Sequence, residues 1–483
     1  KKGEKVYAWC NIKYVPEENG LVYKIIEPPL TEFDKKEIER IKEIIEEKID
    51  IRFDAIESGS SVKYLRKAID AIIKQFGITL TNEQKMNYEY YILRDFVGLG
   101  KFQPLLNDEN IEDISCDGAN IPVFVYHRNQ KIASVKTTVM FEEREVLSDF
   151  VMKLAQRCGR AVSVAEPILE GALPDGSRVQ AILETDIARR GSNITVRKFS
   201  KDPITPVHLL KYNTTSAKVL AYLWYLVEHR CSILICGPTA SGKTSLLNAL
   251  SLFINPSMKI VSIEDTPELR LPHSHWVPEI SREGFGVGDS KIGEVSLFEL
   301  LKGALRQRPD YIIVGEVRGQ EAYILFQAMA TGHAGLSTIH ADSIEKVIDR
   351  LTTPPISLPA SLVETLNLIV FIKRVRHGKA YVRRLFEVHE VLGYDLATKK
   401  PKTRMVFKWD PIMDKFEIVA DSEALGKICE SEGVPEAEMK RDLFFRKKLL
   451  EWMIENRIED YRDVGNIIAE YYSDEEKIIN TIS

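Results

Sequence analysis

From residue 237 to residue 244 the chain reads Gly-Pro-Thr-Ala-Ser-Gly-Lys-Thr, which fits G-x-x-x-x-G-K-[ST] at every position. Gly237 and Gly242 let backbone N–H groups curl around a phosphate, with Pro238, Thr239, Ala240 and Ser241 as the intervening turn. The Lys243 ammonium suits the β- and γ-oxygens of a nucleoside triphosphate, and the Thr244 hydroxyl suits Mg²⁺. An apolar strand is expected at Ser232–Cys236 and a helix from Ser245 to Phe253, whose positive N-terminal end adds to the phosphate site. The chemistry implied is binding of Mg²⁺–ATP.

A loop of this kind needs further polar groups at the same edge of its sheet. In a doubly wound sheet, ligands sit at the carboxyl ends of the strands. Three more strand patterns deliver such groups: Lys259–Ile263 ends in Glu264-Asp265, Tyr311–Val314 ends in Gly315-Glu316, and Gly335–Ile339 ends in His340. Transfer of a phosphoryl group to water requires a carboxylate to orient or deprotonate that water and acids to hold hydrated Mg²⁺. Glu264 and Glu316 are the candidates for both tasks. Each taken singly has a plainer reading, since acids after strands often cap helices.

The elements that must position these groups follow from patterning. Residues 1–30 read as irregular and strand-like. Helical spacing follows at Ile38, Ile41 and Ile45, then at Val62, Leu65, Ile69, Ile72 and Phe76. Thr81 to Gln84 forms a capping box that opens a third helix, stopped at Gly98/Gly100. A mostly helical domain is expected over 1–80 and an α+β, PAS-like domain over 81–199, with a helix at Glu142–Cys158. Residues 200–213, with Pro203 and Pro206, read as a linker. From 214 to 483 the βα rhythm predicts a mainly parallel α/β core with a helical tail beyond about residue 420.

With 483 residues, 44% hydrophobic content and a net charge of −5, the chain has material for several packed cores. That balance argues against a surface built throughout for nucleic acid. The six cysteines are scattered with no C-x-x-C pair, which disfavours a disulfide framework or zinc ribbon and suits a reducing cytosol. The apolar runs Val219–Val227 and Leu366–Ile372 are about half the length a bilayer crossing requires. The opening Lys1-Lys2-Gly3-Glu4 lacks the apolar segment of a secretory signal. A cytoplasmic protein is expected.

Three runs downstream of the loop carry a family resemblance. Ser262-Ile263-Glu264-Asp265-Thr266-Pro267-Glu268 resembles the Asp box of the secretion ATPase superfamily. Arg308 to Arg318 resembles its atypical Walker B motif, ending in Gly-Glu. Thr331-Gly332-His333-Ala334-Gly335-Leu336-Ser337-Thr338-Ile339-His340-Ala341 resembles its His box. The likeness spans roughly residues 95–400 and takes in Pro104-Leu105-Leu106 and Ile111–Ile114.

The resemblance implies a RecA-like ATPase core, ATP and Mg²⁺ as cofactors, and catalytic roles for Glu264, Glu316, His333 and His340. It also implies charge-neutralising arginines from the preceding domain. Arg178 and Arg197 match the positions expected, with Arg189 and Arg190 weaker. It further implies a homo-hexamer, peripheral on the cytosolic face of a membrane rich in acidic lipid, that drives filament assembly through an integral membrane platform. The lack of a four-cysteine zinc module disfavours the bacterial type II secretion and pilus-extension branch, and the long two-part N-terminal region and the Thr353–Pro359 run resemble archaeal members, closest to the archaellum motor ATPase. An archaeal pilus-assembly or type IV secretion ATPase is the alternative. A nucleic-acid-dependent helicase is the more distant one, and no nucleic-acid partner is expected.

Overall fold

The computed structural model describes residues 7–48, 58–129, 132–199, 202–282, 293–378, 380–395 and 400–482. Lys1-Lys2-Gly3-Glu4 and the first two residues of the expected linker lie outside them. The chain divides into two units, Lys1–Ser200 and Lys201–Ser483.

In the first unit, hairpin β1 (Trp9–Val15) and β2 (Gly20–Ile26) precedes three helices, α1 (Glu32–Lys48), α2 (Ser58–Gln75) and α3 (Asn82–Phe96). The helices bury Ile38, Ile41, Ile45, Leu65, Ile69 and Ile72 as their spacing predicts, around Tyr88 and Ile92, whereas Val62 is half-buried and Phe76, past the end of α2, is exposed. The capping box at Thr81 and Gln84 opens α3 with both of its hydrogen bonds formed. Then come α4 (Gln103–Asn107), β3 (Ile111–Cys116), β4 (Pro122–His127), β5 (Ser134–Met140), α5 (Arg144–Arg157), β6 (Ile168–Ala172), β7 (Arg178–Ile182) and β8 (Asn193–Arg197).

These strands form one sheet in the order β1-β2-β5-β4-β3-β8-β7-β6. Helix α5 buries Leu147, Phe150, Val151, Leu154 and Ala155 in the same core as the sheet, a stripe with helical spacing. The expected domains at 1–80 and 81–199 both fall in this unit. The helices keep a cluster of their own, while β2 pairs with β5 and so joins the N-terminal hairpin to the later sheet.

The second unit opens on α6 (Pro206–Lys211), inside the stretch expected to be a linker. Thr205 caps it, and Pro206, Val207 and Leu209 are buried. Next come α7 (Ala217–Glu228), β9 (Ile233–Cys236), α8 (Lys243–Ser251), β10 (Ile260–Glu264), β11 (Trp276–Ile280), α9 (Leu297–Ala304) and β12 (Tyr311–Val314). The core continues through α10 (Glu321–Ala330), β13 (Ala334–Ile339), α11 (Ile344–Thr352) and β14 (Leu368–His377).

The strand order is β11-β10-β12-β13-β9-β14, all parallel, which is the RecA-like arrangement with the loop strand between β13 and β14. Strands β9, β10, β12 and β13 are buried along their whole length, as a parallel sheet covered on both faces requires.

Beyond β14 the sheet turns antiparallel through β15 (Ala380–Asp395), β16 (Lys400–Asp410) and β17 (Lys415–Ile418). The sheet is mainly parallel, as expected, and this antiparallel meander extends it beyond β14. Helices α12 (Glu423–Glu432), α13 (Glu436–Glu455), α14 (Tyr461–Ser473) and α15 (Glu475–Ile482) complete the chain. They share one hydrophobic cluster with α7, α8 and β9.

The Arg446 guanidinium of α13 lies 4.9 Å from the ring centre of Trp224 on α7 and 5.4 Å from that of Tyr471 on α14. It is paired with Glu228 and, at 2.8 Å, with Asp442. Tyr472 accepts from Trp224 Nε1 and donates to Phe253 O, which ties the tail to α7 and to the end of α8.

Candidate functional site

The loop between β9 and α8 has the backbone that its residue types predict. Gly242 sits at φ 96° and Ala240 at φ 59°, both left-handed. A Cβ on Gly237 would collide with Ile372 O of β14, so only glycine fits there. Ser241 Oγ is buried with no hydrogen-bond partner, a polar atom that a phosphate oxygen would satisfy. Lys243 opens α8, with Thr244 and Ser245 following in its first turn. The loop therefore fits a nucleotide phosphate chain.

Lys243 Nζ donates to Pro238 O at 3.2 Å and faces His340 Nδ1 at 3.2 Å. His340 Nε2 lies 3.1 Å from Glu316 Oε1. This is consistent with a neutral imidazole that accepts from Lys243 at Nδ1 and donates to Glu316 from Nε2. Burial, and then the nearby Lys243 charge, hold the His340 pKa below its usual range. Burial likewise lowers Lys243.

On Glu316, burial works to raise the pKa, but the Arg318 hydrogen bond and charge, with His340 and Lys243, bring it down overall. Arg318 donates to Glu316 Oε2 at 2.8 Å and lies 3.6 Å from Asp265 Oδ2, bridging the ends of β12 and β10. The loop lysine, one carboxylate, one imidazole and one guanidinium thus form a continuous chain. Beside it, Pro238, Thr239, His340, Asp342, Lys346 and Arg350 line a cleft of about 380 Å³.

Glu264 is placed differently. Its carboxylate is buried and accepts from Glu268 N at 3.0 Å and Leu269 N at 3.1 Å, so it fastens the turn after β10. Gly315 leaves room for it: a Cβ there would meet Glu264 Cγ at 3.2 Å.

His333 does not join the cluster. It precedes β13 while His340 follows it, so the two stand at opposite edges of the sheet, about 20 Å apart along the strand. There His333 closes the turn after α10 through Ala328 O and Thr331 Oγ1.

Arg178 and Arg197 belong to the first unit and are direct partners across β7 and β8. Arg197 Nε donates to Asp113 Oδ1 at 3.0 Å. Arg189 and Arg190 lie in the turn before β8, where Arg190 O accepts from Ala119 N.

Two residues go beyond the sequence reading. Arg318 stands inside the Gly-Glu-Val-Arg run and carries that signal. Arg383 of β15 donates to Ala240 O at 3.2 Å from 143 residues away, and no local pattern marks it.

Residues 98–403 match the sequence family described as "Type II/IV secretion system protein", and residues 413–483 match one described as "PilB3-like, C-terminal". The chain belongs to the type II/IV secretion system protein family.

An uncharacterized protein of Methanocaldococcus jannaschii is 39% identical over 82% of this chain and 71% of its own length. The type IV secretion system protein PtlH of Bordetella pertussis is 33% identical over 48% of this chain and 78% of its own. Among solved structures, the pilus retraction motor PilT with bound ADP aligns over 77% of this chain and 93% of its own at 17% identity, with a TM-score of 0.40. Membership in this secretion family of ATPases gives the phosphate loop its reading: the chain is a secretion-type ATPase. The Walker B-like Glu316 and the His box His340 meet at the loop lysine, and the Asp box Glu264 braces the turn beside them.

Proposed function

We propose that this family member is a Mg²⁺-dependent ATPase motor that works as a homo-hexamer and powers assembly of a type IV pilus-like filament through a membrane platform protein. The observation that supports the reading is the chain Lys243–His340–Glu316, in which an imidazole joins a carboxylate to the loop lysine. Thr244 and the phosphates would hold Mg²⁺, which supplies charge neutralisation on the transferring group. Glu316 is then the group that orients the attacking water, and Glu264 keeps the neighbouring turn in place. Lys243 exchanges His340 for phosphate oxygens when nucleotide arrives, which frees the imidazole to report that event to Glu316. Arg178 and Arg197 are the proposed arginines for the developing phosphate charge.

The archaellum and archaeal pilus assembly are both filament roles open to such a motor. The PilB3-like match over 413–483 lends support to the pilus-assembly role.

The decisive measurement is phosphate release by the full chain with Mg²⁺ and ATP. Lys243→Ala is expected to abolish both hydrolysis and tight nucleotide binding. Single-stranded DNA is expected not to stimulate the rate, whereas anionic lipid vesicles are. Stimulation by DNA alone would replace the secretion motor with a nucleic-acid translocase.

A further inference from the structure

Helix α8 carries more than the loop lysine. Thr244 stands in its first turn and Asn248 follows four residues on, so the two share a face one turn apart. Asn248 interrupts the apolar run Leu246-Leu247-Asn248-Ala249-Leu250, and only 2% of it is exposed. An amide buried in this way needs partners for both its oxygen and its NH2 group.

The two ends of the amide face different elements. Asn248 Oδ1 accepts from Arg270 N at 2.8 Å. That N–H is the third in succession in the turn after β10, and Glu264 accepts from the first two, those of Glu268 and Leu269. Three residues further on, His273 Nε2 meets Ile254 O, just past the end of α8, at 2.7 Å. On the side of α14, a Cβ on Gly465 would collide with the Pro272 ring. The turn that Glu264 fastens is thus tied to α8 at two points.

The NH2 end reaches the chain that leads into the second unit. Asn248 Nδ2 donates to Ile204 O at 3.4 Å, and Ile204 immediately precedes Thr205, the cap of α6. The far side of α6 is held by Glu459, whose carbonyl accepts from Thr205 Oγ1 and whose carboxylate accepts from Lys211 Nζ at 2.6 Å. Of the two Asn248 bonds, the one to Ile204 is the longer and therefore the one that a small shift of α8 strengthens or breaks.

We propose that Asn248 is a positioning residue through which the state of the phosphate loop orders the segment 203–211. Phosphates and Mg²⁺ gripped by Lys243 and Thr244 shift the first turn of α8, and a rigid helix passes that shift on to Asn248. The amide oxygen keeps its hold on the Arg270 turn while the NH2 group closes on Ile204 O. A merely structural amide would hold Ile204 O equally with and without nucleotide. The role rests on the ATP reading of the loop.

Hydrogen exchange of the full chain with Mg²⁺, with and without a non-hydrolysable ATP analogue, reads each part separately. In the wild type the analogue is expected to slow the amides of 237–246, of 268–270 and of 205–213, each about fivefold or more. Asn248→Asp keeps an acceptor for Arg270 N but turns a second oxygen toward Ile204 O. It is expected to keep the slowing at 237–246 and 268–270 and to lose it at 205–213. Asn248→Ser, whose short hydroxyl cannot span both partners, is expected to show the same loss at 205–213 and serves if the aspartate variant does not fold. Slowing at 205–213 that survives in the variants, or that is missing from a wild type whose loop is protected, overturns the inference. A wild-type loop left unprotected by the analogue overturns the ATP reading, and this role with it.

Discussion

Two glutamates that the sequence offers as equals are set apart by what each one touches. Glu316 faces the loop lysine through His340 and is held by Arg318, whereas Glu264 spends its oxygens on the backbone N–H groups of Glu268 and Leu269. Glu316→Gln is therefore expected to keep nucleotide binding and lower turnover by about 100-fold or more, since an amide keeps the shape and loses the charge. Glu264→Ala is expected to act through structure, costing about 1–3 kcal/mol, mostly for the buried Leu269 donor left unmatched. Chemical denaturation alongside steady-state rates distinguishes the two outcomes.

His340 gives a pH signature at the same scale. Its folded pKa lies below the unfolded value of about 6.5, so its contribution to stability is full above that value and lost as pH falls through the folded one. His208 and His273, also lowered by burial, act with the same sign. The nucleotide-free chain is expected to be less stable at pH 5.5 than at 7.5, with a smaller difference in His340→Gln, as read from denaturation midpoints.

At the scale of elements, what could be read ahead was whatever lies close in sequence. The phosphate loop is contiguous, and α1, α2 and α3 show their buried stripes as simple periodicity. The His box is also contiguous, yet its two histidines flank a six-residue strand, and the strand carries them to opposite edges. A motif read as a string does not say which end of its strand faces the ligand. The meander β15–β17 was hidden for another reason. Its strands mix charged and apolar residues without a regular period, and they sit at the sheet's margin, where no unbroken apolar run is required.

Helix α6 shows the same limit, because prolines that look like a linker instead start a buried helix. Thr205 both caps α6 and donates to Glu459 O. Thr205→Ala is expected to cost about 1 kcal/mol, seen as an earlier denaturation midpoint, with ATP affinity retained.

At the scale of the whole molecule, the ring is the assumption most open to measurement. Light scattering with a non-hydrolysable ATP analogue is expected to show mass rising toward six times the 55.0 kDa chain. A monomer hydrolysing ATP at a concentration-independent specific rate would exclude it.

The two matched sequence families meet between residues 403 and 413, but the hydrophobic cluster runs straight across that border. Arg446 belongs to the second stretch, while Glu228 and Trp224, which hold it, belong to the first. The border drawn by heredity is thus no border for folding. A chimaera that lent only residues 413–483 to a relative would carry Arg446 and Asp442 away and leave Glu228 and the Trp224 ring behind. To fold, the graft would have to bring α7 with it.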